Sequence, residues 1–274
     1  DMVKALFADE EFRNNSNLSA VNSINWARIM AQIVYYFWTA LSLGAPDHKF
    51  IYSVPTGNFG NVYAGYAATK MGLPIEKLII GSNENDILTR FFNSKNTKGT
   101  MSMAPVMSTS SPSMDIQISS NFERLLFDYY DRDGATVSKA LEDFRRNKTV
   151  DLGNQCWQEM CERFEGYRFN DSEVSTAISD LYRKTGELLD PHSAIGVLGG
   201  YKGHTDPTNI LVALATAHPA KFPATVNEAT GVTPHLPAYL SDLFEREENF
   251  DVLPNNIDDV RNYITKILER SKSK

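Results

Sequence analysis

Residues 49–71 read KFIYSVPTGNFGNVYAGYAATKM, and the fold class turns on them. Phe50, Ile51, Tyr52 and Val54 form a short β-type run that ends in a Pro and Gly turn. Asn61 to Met71 then has the small residues and the length of a helix, so Lys49 to Met71 predicts strand, tight turn, helix. Gly72 and Pro74 break that helix, and Leu78 to Gly81 supplies a second strand. A helix between two strands is the crossover that a parallel sheet requires.

Upstream, Asn25 to Leu43 has helical length, with Ile29, Ile33, Tyr36 and Phe37 on one side, and stops at the break Gly44 to Asp47. The most apolar stretch, Ile29 to Ala45, is interrupted by Gln32, Thr39 and Ser42 and falls short of a spanning length, so it predicts a buried core helix. Downstream, Asn93 to Pro112 is rich in Ser, Thr, Asn, Lys and Met with little periodicity and reads as a long loop or lid. Helical stripes follow at Asn121 to Tyr130, Thr136 to Arg146, Asn154 to Phe164 and Ser172 to Leu188. A last strand, Asn209 to Ala215, ends in the polar turn Thr216 to Pro219. Two further helices are expected near Pro237 to Glu247 and Ile257 to Ser271, either side of the Pro254 and Asn255 turn. The expected class is α/β, a parallel sheet flanked by helices, with polar residues at two strand C-terminal ends, where ligands of such sheets bind.

The 274 residues, 42% of them hydrophobic, can fill a sizeable core. With 34 acidic against 27 basic residues and no clustered Lys or Arg, nucleic acid is not an expected partner. Cys156 and Cys161 lie five positions apart in a helical stretch, which fits neither a disulfide framework nor a zinc site and points to a reducing, cytoplasmic compartment. No basic and apolar leader is visible, and no membrane partner is expected. Val3, Leu6 and Phe7 make an apolar stripe with no capping turn before it, as if residues 1–20 were the remnant of a preceding domain or linker. Residues 21–274 then form the main α/β domain with a helical C-terminal extension.

Three turns can carry chemistry. In Val54-Pro55-Thr56-Gly57-Asn58-Phe59-Gly60-Asn61 the glycines permit close backbone approach, and the following helix turns free N–H groups and its positive dipole end outward. A phosphate is the natural guest, although alone the turn is equally an ordinary βα turn, and it has neither P-loop nor dinucleotide spacing. Asn22-Ser23-Ile24-Asn25-Trp26-Ala27-Arg28 precedes the long apolar helix and taken alone is a capping stretch with a solvated or ion-paired arginine. In Thr216-Ala217-His218-Pro219-Ala220-Lys221, His218 is a general base, a metal ligand or, most simply, a structural histidine. Asp190-Pro191-His192 reads as a capping turn, and Asn83, Asn85 and Asp86 as a helix start. The chain has no Gly-x-Ser-x-Gly elbow and no His-Glu-x-x-His metal motif, so hydrolase, metalloprotease and metal readings have no anchor.

From Leu6 to about Ile267 the sequence resembles threonine synthases of the proteobacterial and fungal type. The stretches that carry the likeness are Val21 to Gln32, Val54 to Gly60, Met71 to Ile80, Pro112 to Phe127, Leu189 to Val197 and Thr216 to Pro223. The resemblance implies the C-terminal part of a fold-type II, tryptophan-synthase-β-like enzyme that uses pyridoxal 5′-phosphate (PLP). It assigns the backbone of Gly57, Asn58, Phe59 and Gly60 to the PLP phosphate and Thr216 to the pyridine nitrogen. Asn22, Ser23 and Arg28, with Asn58, match positions that bind the phosphate of the substrate. The implied reaction converts O-phospho-L-homoserine and water to L-threonine and phosphate. In the family the Schiff-base lysine sits in a Phe-Lys-Asp-type motif of the N-terminal domain, and no such motif occurs here. Lys221 matches a separate family lysine and does not replace it. This chain alone is therefore expected to hold half a site, to lack a catalytic residue of its own, and to partner the missing N-terminal domain. A threonine-synthase-like phospholyase that releases a keto acid and a truncated, non-catalytic phosphate-ligand-binding protein are the alternatives.

Overall fold

A computed structural model describes residues 2–19, 22, 25–93 and 99–272. Its helices and strands, in chain order, are α1 (Met2–Ala8), α2 (Glu10–Asn15), α3 (Trp26–Ser42), β1 (Phe50–Pro55), α4 (Gly60–Lys70), β2 (Ile75–Ser82), α5 (Ile87–Asn93) and β3 (Thr100–Ser102). There follow α6 (Phe122–Tyr129), α7 (Gly134–Asn147), β4 (Thr149–Asp151), α8 (Asn154–Arg163), β5 (Phe164–Arg168), α9 (Asp171–Thr185), α10 (Pro191–Gly203), β6 (Ile210–Ala213), α11 (Pro223–Thr230) and α12 (Ile257–Lys272). They divide into two compact units, Asn22–His235 in one and Asp1–Val21 with Leu236–Lys274 in the other.

In the larger unit β1, β2, β5 and β6 form one sheet in the order β5-β2-β1-β6, and each adjacent pair is parallel. β1 is buried along its whole length, as a central parallel strand must be, and its residues are continuously apolar except for Ser53. The Ser53 hydroxyl is accommodated by donating to the Gly196 carbonyl at 2.5 Å. That bond is one sign of how closely α10 lies on the sheet. A Cβ added at Gly203 would stand 2.5 Å from Ile79 Cδ1, so the helix reaches this depth only because it presents glycine. On α3 the expected side does face the core: Ile29 and Tyr36 are buried and Ile33 and Phe37 pack against the same cluster. Asn25 caps α3 by accepting from the Ala27 N–H.

In the smaller unit Arg261 of α12 pairs with Asp9 at 2.9 Å and lies over the Phe12 ring. The helix expected near Pro237 to Glu247 does not form. Ala238–Leu240 makes a single 3-10 turn there, and Tyr239 and Phe244 are about 80% exposed. An isolated short helix with its apolar stripe in water has nothing to offset the cost of nucleation.

Three other elements depart from the sequence pattern. α5 buries five of its seven residues, Ile87, Leu88, Thr89, Phe91 and Phe92, so it shows no amphipathic period. β5 was hidden behind a helical stripe that stops at Arg163 instead of continuing, and its five residues carry a glycine and two charges. Within the expected loop Asn93 to Pro112, β3 pairs antiparallel with β4, and residues 107–115 are tied to the end of β2. Buried Asn85 donates to the Met107 carbonyl and accepts from its N–H, both at 2.8 Å, while buried Asn83 donates to Thr109, Ser111 and Asp115. Asn83 and Asn85 thus anchor the loop, and the expected helix start follows at once: α5 begins at Ile87, and the Asp86 carbonyl accepts the Arg90 N–H at 2.9 Å. Both cysteines lie on α8, half-buried and unbridged, and burial pushes each thiol up to about 11.

Candidate functional site

β1 and β6 are parallel neighbours, and beyond their C-terminal ends lies a pocket of about 210 Å³. Residues 55–61 line it together with Gln32, Ser113, Met114, His192, Thr216, Ala217 and Lys221. The glycine turn and Thr216, 155 positions or more apart in the chain, are therefore brought to one cavity.

The turn is built to leave backbone donors free. Phe59 takes a left-handed conformation, φ 62°, as the N-cap of α4 and offers no side-chain cap. Among the described residues no acceptor takes the N–H of Gly57, Asn58, Phe59 or Gly60. The carbonyls, by contrast, are tied back: Ser119 Oγ donates to Gly57 O at 2.7 Å, and Asn121 donates to Asn58 O through its backbone N–H and its Nδ2, both at 3.0 Å. Since a trans peptide points its C=O and N–H in opposite directions, these bonds aim the N–H groups of Asn58 and Phe59 away from residues 119–121. Uncapped N–H groups at the positive end of α4 make an anion cradle. The Phe59 side chain takes no part in it; it is buried and packs edge-on against Phe122, anchoring the turn in the core. Gly57 is required for another reason. A Cβ there would stand 2.6 Å from the Ser113 carbonyl oxygen.

A second group stands at the start of α10, whose His192 also lines the pocket. Asp190, fully buried, caps α10 by accepting from the backbone N–H of His192 and Ser193. Burial pushes its carboxyl up, but hydrogen bonds from His192 and Ser193 outweigh this and hold it below the ordinary carboxylate value. His192 Nδ1 donates to Asp190 at 2.9 Å and its Nε2 accepts from the Ser113 N–H at 3.2 Å, which fixes the Nδ1–H tautomer. The ring also stacks at a tilt on Phe222. Gln32 contributes a buried Oε1 with no partner among the described residues. The Thr216 hydroxyl likewise has none, while its N–H donates to Ser193 Oγ at 3.0 Å.

Of the remaining candidates, Arg28 is exposed in the first turn of α3, one turn ahead of Gln32, and it and Asn22 are not among the residues lining the pocket. Ser23 lies outside the described residues. His218 accepts from the Ala220 N–H at 3.2 Å, so the structural alternative accounts for it. No group of His, Cys, Asp and Glu among the described residues could hold a metal ion, and no helix is long and apolar enough to cross a membrane. Sequence reasoning missed Gln32, Ser113, His192 and the Ser119 and Asn121 ties. Stretches 112–127 and 189–197 had carried the family likeness without any role being given to these residues.

A family model described as threonine synthase, C-terminal, matches residues 193–264. The threonine synthase of Pseudomonas aeruginosa is 48% identical over 273 residues, which is 99% of this chain and 57% of the relative. The chain belongs to the threonine synthase family. A solved structure of PLP-bound threonine synthase from Brucella melitensis superposes with a TM-score of 0.89 at 49% identity, over 97% of this chain and 56% of that one. For the yeast threonine synthase the TM-score is 0.85 at 37% identity, over 98% and 57% of the two chains. The chain thus spans about half the length of the threonine synthases it matches. Their α/β architecture is the one that residues 49–81 imply.

Proposed function

We propose that this chain is the PLP-phosphate-binding part of a threonine synthase, which converts O-phospho-L-homoserine and water to L-threonine and phosphate. The observation that carries the proposal is the uncapped start of α4 beside Gly57, in a chain that matches threonine synthases along 97–99% of its length. The residues fit the cofactor. Four unpartnered N–H groups suit a dianion, and the missing Cβ of Gly57 leaves the backbone within reach. Gly57, Asn58, Phe59 and Gly60 would hold the PLP phosphate, and the Thr216 hydroxyl would donate to the pyridine nitrogen. When bound, PLP supplies an electron sink for carbanions formed on the substrate, and a neutral hydroxyl at the ring nitrogen keeps that sink moderate. Arg28, with Asn22, Ser23 and Asn58, would bind the phosphate of the substrate, a task for which a guanidinium fork is suited. The lysine that completes the reaction lies outside this chain, in the N-terminal domain with which it pairs, and the enzyme works in the cytoplasm.

Calorimetric titration tests the proposal. PLP should bind the chain, and O-phospho-L-homoserine should bind once PLP is present. Arg28→Ala should weaken the second event about tenfold or more, the worth of a charge-assisted pair, and leave the first unchanged. A chain that binds no PLP would overturn it.

A further inference from the structure

Two arms of hydrogen bonds leave the buried carboxylate of Asp190 and end at two different pocket-lining residues, Ser113 and Thr216. Through His192, whose Nε2 accepts the Ser113 N–H, one arm holds the segment whose carbonyl oxygen abuts Gly57. Through Ser193, whose hydroxyl donates to Asp190 and accepts from the Thr216 N–H, the other holds the end of β6. The partners are 79 and 23 residues distant in the chain, so these contacts are not a by-product of local capping. We propose that Asp190 is a positioning residue that sets the distance between the phosphate turn and Thr216, so that one rigid ligand can satisfy both.

The argument is geometric. Carboxylate oxygens accept several bonds at once, and Asp190 uses this capacity to take two backbone and two side-chain donors. Its two oxygens divide the work: Oδ1 takes the His192 ring and Oδ2 the Ser193 hydroxyl. An ordinary N-cap accepts from the first helical N–H groups and stops there. Here the capped residues are themselves the next links, and their side chains reach the pocket wall and the strand end. Asp190, His192 and Ser193 are buried, while Ser113 and Thr216 at the ends of the arms are exposed, so a bond lost at the carboxylate leaves an unsatisfied group that water does not readily rescue. Ser113 is held from both sides, by His192 and by contact with Gly57, which leaves the phosphate turn little freedom to widen. Thr216 has its backbone held and its hydroxyl free, as a residue whose side chain is reserved for a ligand should.

The inference rests on PLP being the ligand, and it is tested with three probes on the intact chain: PLP, inorganic phosphate and pyridoxal, which keeps the ring but lacks the phosphate. Ser193→Ala, which cuts only the Thr216 arm, should weaken pyridoxal and PLP about tenfold or more while inorganic phosphate binds as before. His192→Phe, which cuts only the Ser113 arm, should weaken phosphate and PLP and spare pyridoxal. Asp190→Asn should weaken all three, and its loss for PLP should exceed that of either arm alone. Equal weakening of phosphate and pyridoxal by Ser193→Ala would overturn the proposal, since a merely structural role predicts no such split. Asp190→Asn binding PLP as the parent chain does would overturn it too. Failure of the parent chain to bind any probe would instead strike the functional proposal on which it rests.

Discussion

Gly57 is the residue at which fold and site constrain each other most tightly. Its added Cβ would meet a backbone oxygen, which cannot swing aside like the end of a side chain. Gly57→Ala should therefore push the Ser113 segment outward, at a cost of about 1–3 kcal/mol for overpacking, and should weaken inorganic phosphate binding. Denaturant titration and calorimetry on the same sample check both, and an alanine variant of unchanged stability and affinity would contradict the packing described. At this scale the sequence was only partly legible. The glycines of the turn were visible because their freedom is a local property. His192 was not, because its role is set by Ser113 and Asp190 together, and only the short-range half of that arrangement shows in Asp190-Pro191-His192. His218, open to three readings from sequence, turned out to cap the 3-10 turn that follows it.

Among the elements, β1, α4 and α3 were legible since each carries a pattern of its own: a continuously apolar strand, a small-residue helix and an amphipathic stripe. Only the start of α5 was legible, because five of its seven residues are buried and leave no amphipathic stripe. The 237–247 stripe misled because a helical pattern needs a surface to pack on, and its aromatic residues have none. α10 shows what a helix must give up to lie close to a sheet. Gly203→Leu should drive a side chain into Ile79 and Tyr167 and destabilise the chain by about 1–3 kcal/mol. A thermal melt reports this directly. Substitution by leucine at exposed Gly186, which stands past the end of α9 at φ 78° with open space around it, costs through backbone strain instead, so the two variants separate crowding from conformation.

For the molecule as a whole, the ionisable groups predict how stability changes with pH. Burial raises the thiols of Cys156 and Cys161 to about 11, and it raises the phenols of Tyr36, Tyr52 and Tyr66. In each case the neutral, protonated form is the one the fold accepts. Stability from these groups is fully present below their unfolded values, from about 9 for the thiols, and is lost as pH rises through the folded ones. Asp190 has the opposite sign: its lowered pKa contributes stability above the ordinary carboxylate range, lost as pH falls through the folded value. Melting temperature measured against pH should decline on the alkaline side from about 9 upward, and replacing both cysteines by alanine should move the onset of that decline to higher pH. An unmoved onset would contradict the burial assigned to α8.

The account depends above all on the Gly57 to Gly60 turn being a phosphate cradle. A competition titration addresses that most directly: PLP binding to the chain measured with and without inorganic phosphate, alongside pyridoxal. The account predicts that phosphate displaces PLP and that pyridoxal binds at least about tenfold more weakly, the loss expected when charge-assisted bonds to a dianion are removed. Pyridoxal binding as tightly as PLP, with phosphate failing to compete, would contradict it.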